Sequence, residues 1–277
     1  MRSTTALRTR GTRGTTRRAS GSTATHALAR AGLTARGVIW ILIGWVAVLV
    51  ALGHSKNEVD QQGALQMLAG KPYGTVSLWL LGIGFAGYAL WRLGEVATGV
   101  AGEGNGAGPR LRSLGRAVIY AGFAYLTFKV LSGSQSGSQS RKQQDVTATV
   151  MQHPGGQWVV GIAGAIVVII GVVLVIEGLR RRFVKYLLTS RMSPRTRRIV
   201  KTLGTVGTTV RGVVIALVGI LVIDAAVTHS PAKSGGVDKA LLTLRDQPFG
   251  PILLVVVALG LVVFGVYGLC EARWRRV

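Results

Sequence analysis

The feature that most constrains this chain is a threefold internal echo carried by six apolar spans. Pro72-Tyr73-Gly74, Pro154-Gly155-Gly156 and Pro248-Phe249-Gly250 each open an apolar run. Glu95, Glu177 and Glu271 close those runs, each 23 residues after its Pro. Arg36, Arg116 and Arg211 open an earlier run in each unit, and the Pro follows 36, 38 and 37 residues later. A repeat of roughly 80 residues with two membrane-length runs per unit predicts an all-α polytopic membrane protein. Six transmembrane helices then form three parallel two-helix repeats. Backbone groups cannot go unpaired in lipid, and no alternating strand pattern competes with helices.

The spacing divides the chain into a disordered basic cytoplasmic tail over 1–27 and repeats over 28–104, 105–186 and 187–277. The tail is rich in Thr, Arg, Ser and Gly and holds no acid. It imitates a transit peptide, and Arg17-Arg18 imitates a twin-arginine signal. The first apolar run starts near Val38, too far from that pair and too long for a signal core. Between spans, Ala64-Leu65-Gln66-Met67-Leu68 and Ala240-Leu241-Leu242-Thr243-Leu244 stand eight residues before their Pro, behind Asp60 and Asp238. They read as short amphipathic helices on the outer surface, with Pro starting the next span where its missing N–H costs nothing. The middle copy, Asp145 to Met151, is β-branched, and the Gly/Ser/Gln run at 132–140 before it reads as a flexible linker.

The 33 Lys and Arg against 10 Asp and Glu leave a net charge of +23. That excess would suit nucleic acid, but the basic residues are packed into alternate loops and no recognition motif accompanies them. One side carries 25 of them and the other seven, which places both termini in the cytoplasm and the protein in the plasma membrane. The loop 180–201 is the most basic. It either sets topology alone or also binds anionic lipid headgroups. The bilayer is the expected partner, with no nucleic acid; protein partners are not legible. A single cysteine, Cys270, excludes an intrachain disulfide and reads as a small buried residue.

No catalytic constellation appears, so the chain is not expected to be an enzyme or to carry a cofactor. Gly82-Ile83-Gly84-Phe85-Ala86-Gly87 has dinucleotide-loop spacing but lies inside a span, where glycines serve helix packing, as do Gly161 and Gly164. His54 and His229 occupy matched positions, yet His153 does not match them and no i,i+4 pair exists, so no metal site is assigned. Trp40, Trp91, Trp274, Tyr73 and Trp158 read as interfacial belts.

Eight charges remain as candidates for structure or transport: Arg36, Arg116, Arg211, Glu95, Glu177, Glu271, Lys129 and Asp224. The first six are either pairs that fix helix register or a ring guarding an axial passage. Lys129 and Asp224 each stand 13 residues beyond a repeat Arg, which is about 19 Å along a helix. Opposite signs at one depth predict mutual contact; independent snorkelling is the other reading.

The series Gly32-Leu33-Thr34-Ala35-Arg36-Gly37, Asp60-Gln61-Gln62-Gly63-Ala64-Leu65, Pro72-Tyr73-Gly74 and Tyr88-Ala89-Leu90-Trp91-Arg92 resembles a bacterial integral-membrane family. The third repeat matches it at Gly207 to Gly212 and Asp246 to Gly250. That family is classed only as a domain of unknown function, is built from three two-helix repeats and is common in high-GC Gram-positive bacteria. The resemblance implies a fold and a compartment, covers about 29–274, and brings no functional residues. The function expected is a non-enzymatic structural, scaffolding or envelope-stress role. A small channel or transporter with a path near the pseudo-threefold axis is the other reading.

Topology is testable with an impermeant thiol reagent in a Cys270→Ala background. A cysteine at Ser136 should label from outside and one at Ser190 should not; the reverse pattern would invert the chain.

Overall fold

The computed structural model describes residues 15–54, 59–99, 107–133 and 139–275. Among them run nine α-helices: α1 (Thr15–Ala51), α2 (Gln61–Ala69), α3 (Gly74–Thr98), α4 (Ala107–Leu131), α5 (Gln139–Met151), α6 (Gly156–Leu179), α7 (Pro194–Val227), α8 (Val237–Arg245) and α9 (Gly250–Trp274). No strand interrupts them in the described residues. Six are long and apolar enough to cross a membrane, so the long–short–long pattern occurs three times. The end bearing the Arg36, Arg116 and Arg211 turns is called the basic end, and the end bearing α2, α5 and α8 the cap end.

Two expectations change here. Residues 15–27 are not a disordered tail but the first turns of α1. Extending a helix that a membrane span has already nucleated fixes one residue per new hydrogen bond, so even a Thr- and Ser-rich segment follows. Residues 1–14 lie outside the described residues. The run read as a flexible linker also gives way to helix at its end: α5 starts at Gln139 and has 13 residues against nine each in α2 and α8. Its first turns are Gln, Ser, Arg, Lys and Gln, mostly good helix formers, and they carry the β-branched residues that follow. Of the run read as a linker, 134–138 lies outside the described residues.

The Pro-x-Gly corners work differently from a proline at the first helical position. Each span starts two residues later, at Gly74, Gly156 and Gly250. There the chain turns so tightly that a Cβ on Gly250 would lie 1.7 Å from the Arg245 carbonyl oxygen, and one on Gly156 1.8 Å from that of Val150. Glycine is the side chain that fits, which explains its return in all three corners.

Helix association follows the same economy of atoms. Lipid tails are as apolar as the helix faces, so helices associate by close van der Waals packing, not by escape from water. The closest pairs are α6 with α7, α1 with α9 and α3 with α4. Each joins the second span of one unit to the first span of the next, and the α9–α1 pair closes the ring. Small residues seven apart line these seams: Gly37 and Gly44 on α1 face Gly265 and Ala258 on α9, and Gly212 and Gly219 on α7 face Gly171 and Gly164 on α6. A Cβ on Gly44 would stand 2.7 Å from the Ala258 carbonyl, and one on Gly219 2.6 Å from the Val168 amide. Seven residues bring a helix back to within about 20° of one face, the geometry of left-handed helix pairs.

The α3–α4 seam is built another way. Ala117 and Ala124 hold the equivalent positions, and aromatic rings fill the interface: Trp79 on Phe128 at 5.5 Å and Tyr88 on Tyr120 at 4.4 Å between centroids. Within units, α1 packs on α3 and α7 on α9, but α4 and α6 do not pack along each other. The second hairpin is splayed. Its helices are accordingly the least buried spans, and α1 and α3 the most.

A methyl group at a seam glycine should force the helices apart. Gly44→Ala and Gly219→Ala should each cost about 1–3 kcal/mol as overpacking, read as a lower thermal midpoint in detergent. Gly115→Ala, where a Cβ meets nothing within 4 Å, should hold or raise it. Equal behaviour of all three would remove the seams from the account.

Candidate functional site

At the basic end the first spans of the three units carry Arg36, Arg116 and Arg211, and the sequence pattern predicts a glutamate for each. One pair forms: the Arg36 Nη2 donates to Glu271 Oε2 at 2.9 Å across the α1–α9 seam, and Arg275 donates to the other oxygen of the same carboxylate. Arg116 and Arg211 have no acid within ion-pair distance among the described residues. The expectation of three matched pairs is therefore corrected to one.

The reason lies in Arg92, which closes the repeat motif Tyr88 to Arg92 and is not among the eight candidate charges. It is buried, with Nη1 on Glu95 at 2.6 Å, Nη2 on the Tyr88 hydroxyl at 2.6 Å, and its guanidinium 4.3 Å from the Trp91 ring. Ser113, one turn before Arg116, donates to the same Glu95 oxygen at 2.8 Å. Glu95 is thus taken by its own helix and by Ser113. The i,i+3 spacing of Arg92 and Glu95, with Tyr88 a further turn back, is the sequence signal that would have shown this. Glu177, half-buried on lipid-facing α6, has no ion-pair partner among the described residues.

Arg211 is held by rings instead. Its guanidinium lies 4.9 Å from the Phe264 centroid and 5.3 Å from Trp40, while Arg36 lies 5.4 Å from the same Phe264. Cation–π contact of this kind is substantial once water is excluded. Trp40 and Trp91 are correspondingly buried in this cluster and are not part of an interfacial belt; Tyr73 and Trp158, at the cap end, are exposed as expected. Arg116 is exposed on α4, within electrostatic reach of Arg36, Arg92 and Arg211. Five guanidiniums (36, 92, 116, 211 and 275) thus gather around two carboxylates, Glu95 and Glu271.

Toward the cap end, a cavity of about 390 Å³ lies among the three first spans, lined by Ile43 of α1, Val118, Ile119, Phe123 and Leu126 of α4, and Ile215 and Val218 of α7. Asp60, Gln61, Gly236 and Val237 roof it. The roof is cross-braced between units. The Val59 amide donates to Asp238 Oδ1 at 2.7 Å, Asp60 caps α2 by accepting from the Gly63 amide, and Gln144 of α5 donates to the Ala232 and Ser234 carbonyls. Burial pushes the Asp238 carboxyl above the ordinary carboxylate range, against the opposing pull of the Val59 amide and Lys239.

Lys129 and Asp224 do not meet. Asp224 pairs with Lys233 of its own unit at 3.1 Å, half-exposed near the cap. Both stand in the last turn of their helices, and there the acid is within reach of a lysine from the adjoining loop, while the other charge lies across a splayed bundle. His54, His153 and His229 are all exposed, and no group of three metal-ligating side chains gathers among the described residues. The basic loop folds back onto α9: Leu188 donates to the Trp274 carbonyl at 2.8 Å and Phe183 packs on Tyr267.

The chain belongs to the family described as Domain of Unknown Function (DUF1206), which matches three times, over residues 31–99, 112–181 and 206–275. Those bounds coincide with the three structural units. The chain is also similar to the uncharacterized protein YxxB of Bacillus subtilis (strain 168), 32% identical over 251 residues and covering 90% of each chain. No solved structure matches it.

Removing Glu271 strands two guanidiniums, whereas removing Glu177 strands none. Glu271→Gln should lower stability by about 3–5 kcal/mol and Glu177→Gln should leave it within about 0.5 kcal/mol, by thermal unfolding in detergent.

Proposed function

We propose that this is a non-enzymatic integral membrane protein with a structural, scaffolding or envelope-stress role, seated in the plasma membrane with both termini cytoplasmic. The observation that carries this reading is the roof over the axial cavity. Braces from Asp238 to Val59 and from Gln144 to Ala232 and Ser234 join all three units there, and the small-residue seams tie the spans below. Such a design favours a fixed frame over alternating access, which typically moves one set of repeats against another. The asymmetry of basic residues supports the orientation. The hollow lined by Arg181, Arg197, Arg198 and Lys201 beside the basic loop supports attraction of anionic headgroups on the cytoplasmic face.

The test is flux. Proteoliposomes holding the full chain and loaded with chloride- or proton-sensitive dye should respond no faster than protein-free vesicles under an imposed gradient and potential. Flux through the wild type that Arg116→Gln or Arg211→Gln alters would overturn the structural reading in favour of a channel or transporter.

A further inference from the structure

The splayed second hairpin gives the axial cavity an opening. In the ring order α1, α3, α4, α6, α7, α9, every neighbouring pair packs except α4 with α6. Val118, Ile119 and Gly122, which line the cavity, are at the same time exposed on α4. In a bilayer that exposure is to acyl chains, so the cavity is a lateral groove and not a closed void.

The floor of this groove is cationic by helical register. Arg116 stands three and seven residues before the lining residues Ile119 and Phe123. Arg211 stands four and seven before Ile215 and Val218, and Arg36 seven before Ile43. Residues so spaced share a helix face, so all three arginines lie one or two turns below the groove on its own walls. Arg36 is neutralised by Glu271. Arg116 and Arg211 have no carboxylate, and the buried Nε of Arg211 has no hydrogen-bond partner.

Depth fits a headgroup. The three arginines precede the cap ends of their helices by 15 or 16 residues, roughly 22 Å at the helical rise. In hydrocarbon about 30 Å thick, an arginine side chain reaching away from the cap brings its guanidinium to the headgroup level of the basic-side leaflet. A guanidinium fork matches phosphate oxygens, and basic pockets between spans suit lipid headgroups.

We infer that the groove between α4 and α7 holds one anionic phospholipid, its phosphate on Arg116 and Arg211 and an acyl chain along Ile119, Phe123, Ile215 and Val218. The lipid completes the bundle where the second hairpin leaves it open. This goes beyond the frame role proposed above and does not depend on it, because it concerns occupancy and not flux.

Native mass spectrometry of the full chain, titrated with phosphatidylglycerol or phosphatidylcholine in detergent, tests it. The wild type should retain one phosphatidylglycerol at least ten-fold more strongly than phosphatidylcholine. Arg116→Gln with Arg211→Gln should remove that preference. Ile119→Trp, which fills the groove from an exposed position without touching charge, should lower retention of the lipid while leaving the thermal midpoint of lipid-free protein unchanged. Arg197→Gln with Arg198→Gln, on the basic loop, should keep it. Equal retention of the two lipids, retention indifferent to Ile119→Trp, or loss of retention only in the loop variant would each overturn the inference, as would displacement of the lipid by inorganic phosphate alone.

Discussion

Close backbone approach at glycine is the contact on which the rest of this structure depends. In lipid there is no gain from hiding an apolar face, so two helices stay together only where their surfaces fit atom to atom. Gly37, Gly44, Gly212 and Gly219, each facing a small residue on the preceding unit, provide that fit on two of three seams. The consequence is that cohesion runs between repeats and not within them. Each repeat is a chain segment, but the packing unit is the second span of one with the first span of the next.

The departures from symmetry follow from that division of labour. Where α3 meets α4 the seam positions of α4 are alanines, and the space is filled by Tyr88, Phe85, Phe123 and Tyr120. Tyr88 brings Arg92 with it, Arg92 takes Glu95, and Arg116 is left without an acid. On α6 the seam face is occupied by Gly164, Gly171 and Gly178, so Glu177 emerges off that face, and Arg211 turns to the rings of Trp40 and Phe264. One motif position, repeated three times in the chain, thus has three environments: ion-paired, ring-stacked and exposed.

The sequence made the architecture legible because span length, the Pro–Glu spacing and the repeat period are all one-dimensional properties. The same spacing located the arginines at one level and the cap helices at the other end. It did not reveal which arginine would find its glutamate, since that depends on a competitor, Arg92, one turn before Glu95 on the same face of the helix. Nor could a matched depth for Lys129 and Asp224 show that Lys233 lies nearer to the acid. The small-residue ladder was visible in principle, at seven-residue intervals on α1, α6, α7 and α9 and as the alanine pair on α4, but so were Gly108, Gly115 and Gly122, which meet no neighbouring helix. It becomes meaningful only when the facing helix is known.

The most direct test of cohesion between repeats is disulfide trapping in membranes, in a Cys270→Ala background. Gly161 on α6 faces Ala226 on α7 with an added Cβ only 3.8 Å from the alanine Cβ, a separation that suits a disulfide. Cysteines at 161 and 226 should cross-link rapidly, and cysteines at Ala121 or Tyr125 of α4 should cross-link little with cysteines at Ile162 or Ile166 of α6. Cross-linking of α4 to α6 as fast as α6 to α7 would mean that the second hairpin is closed, and would contradict cohesion between repeats.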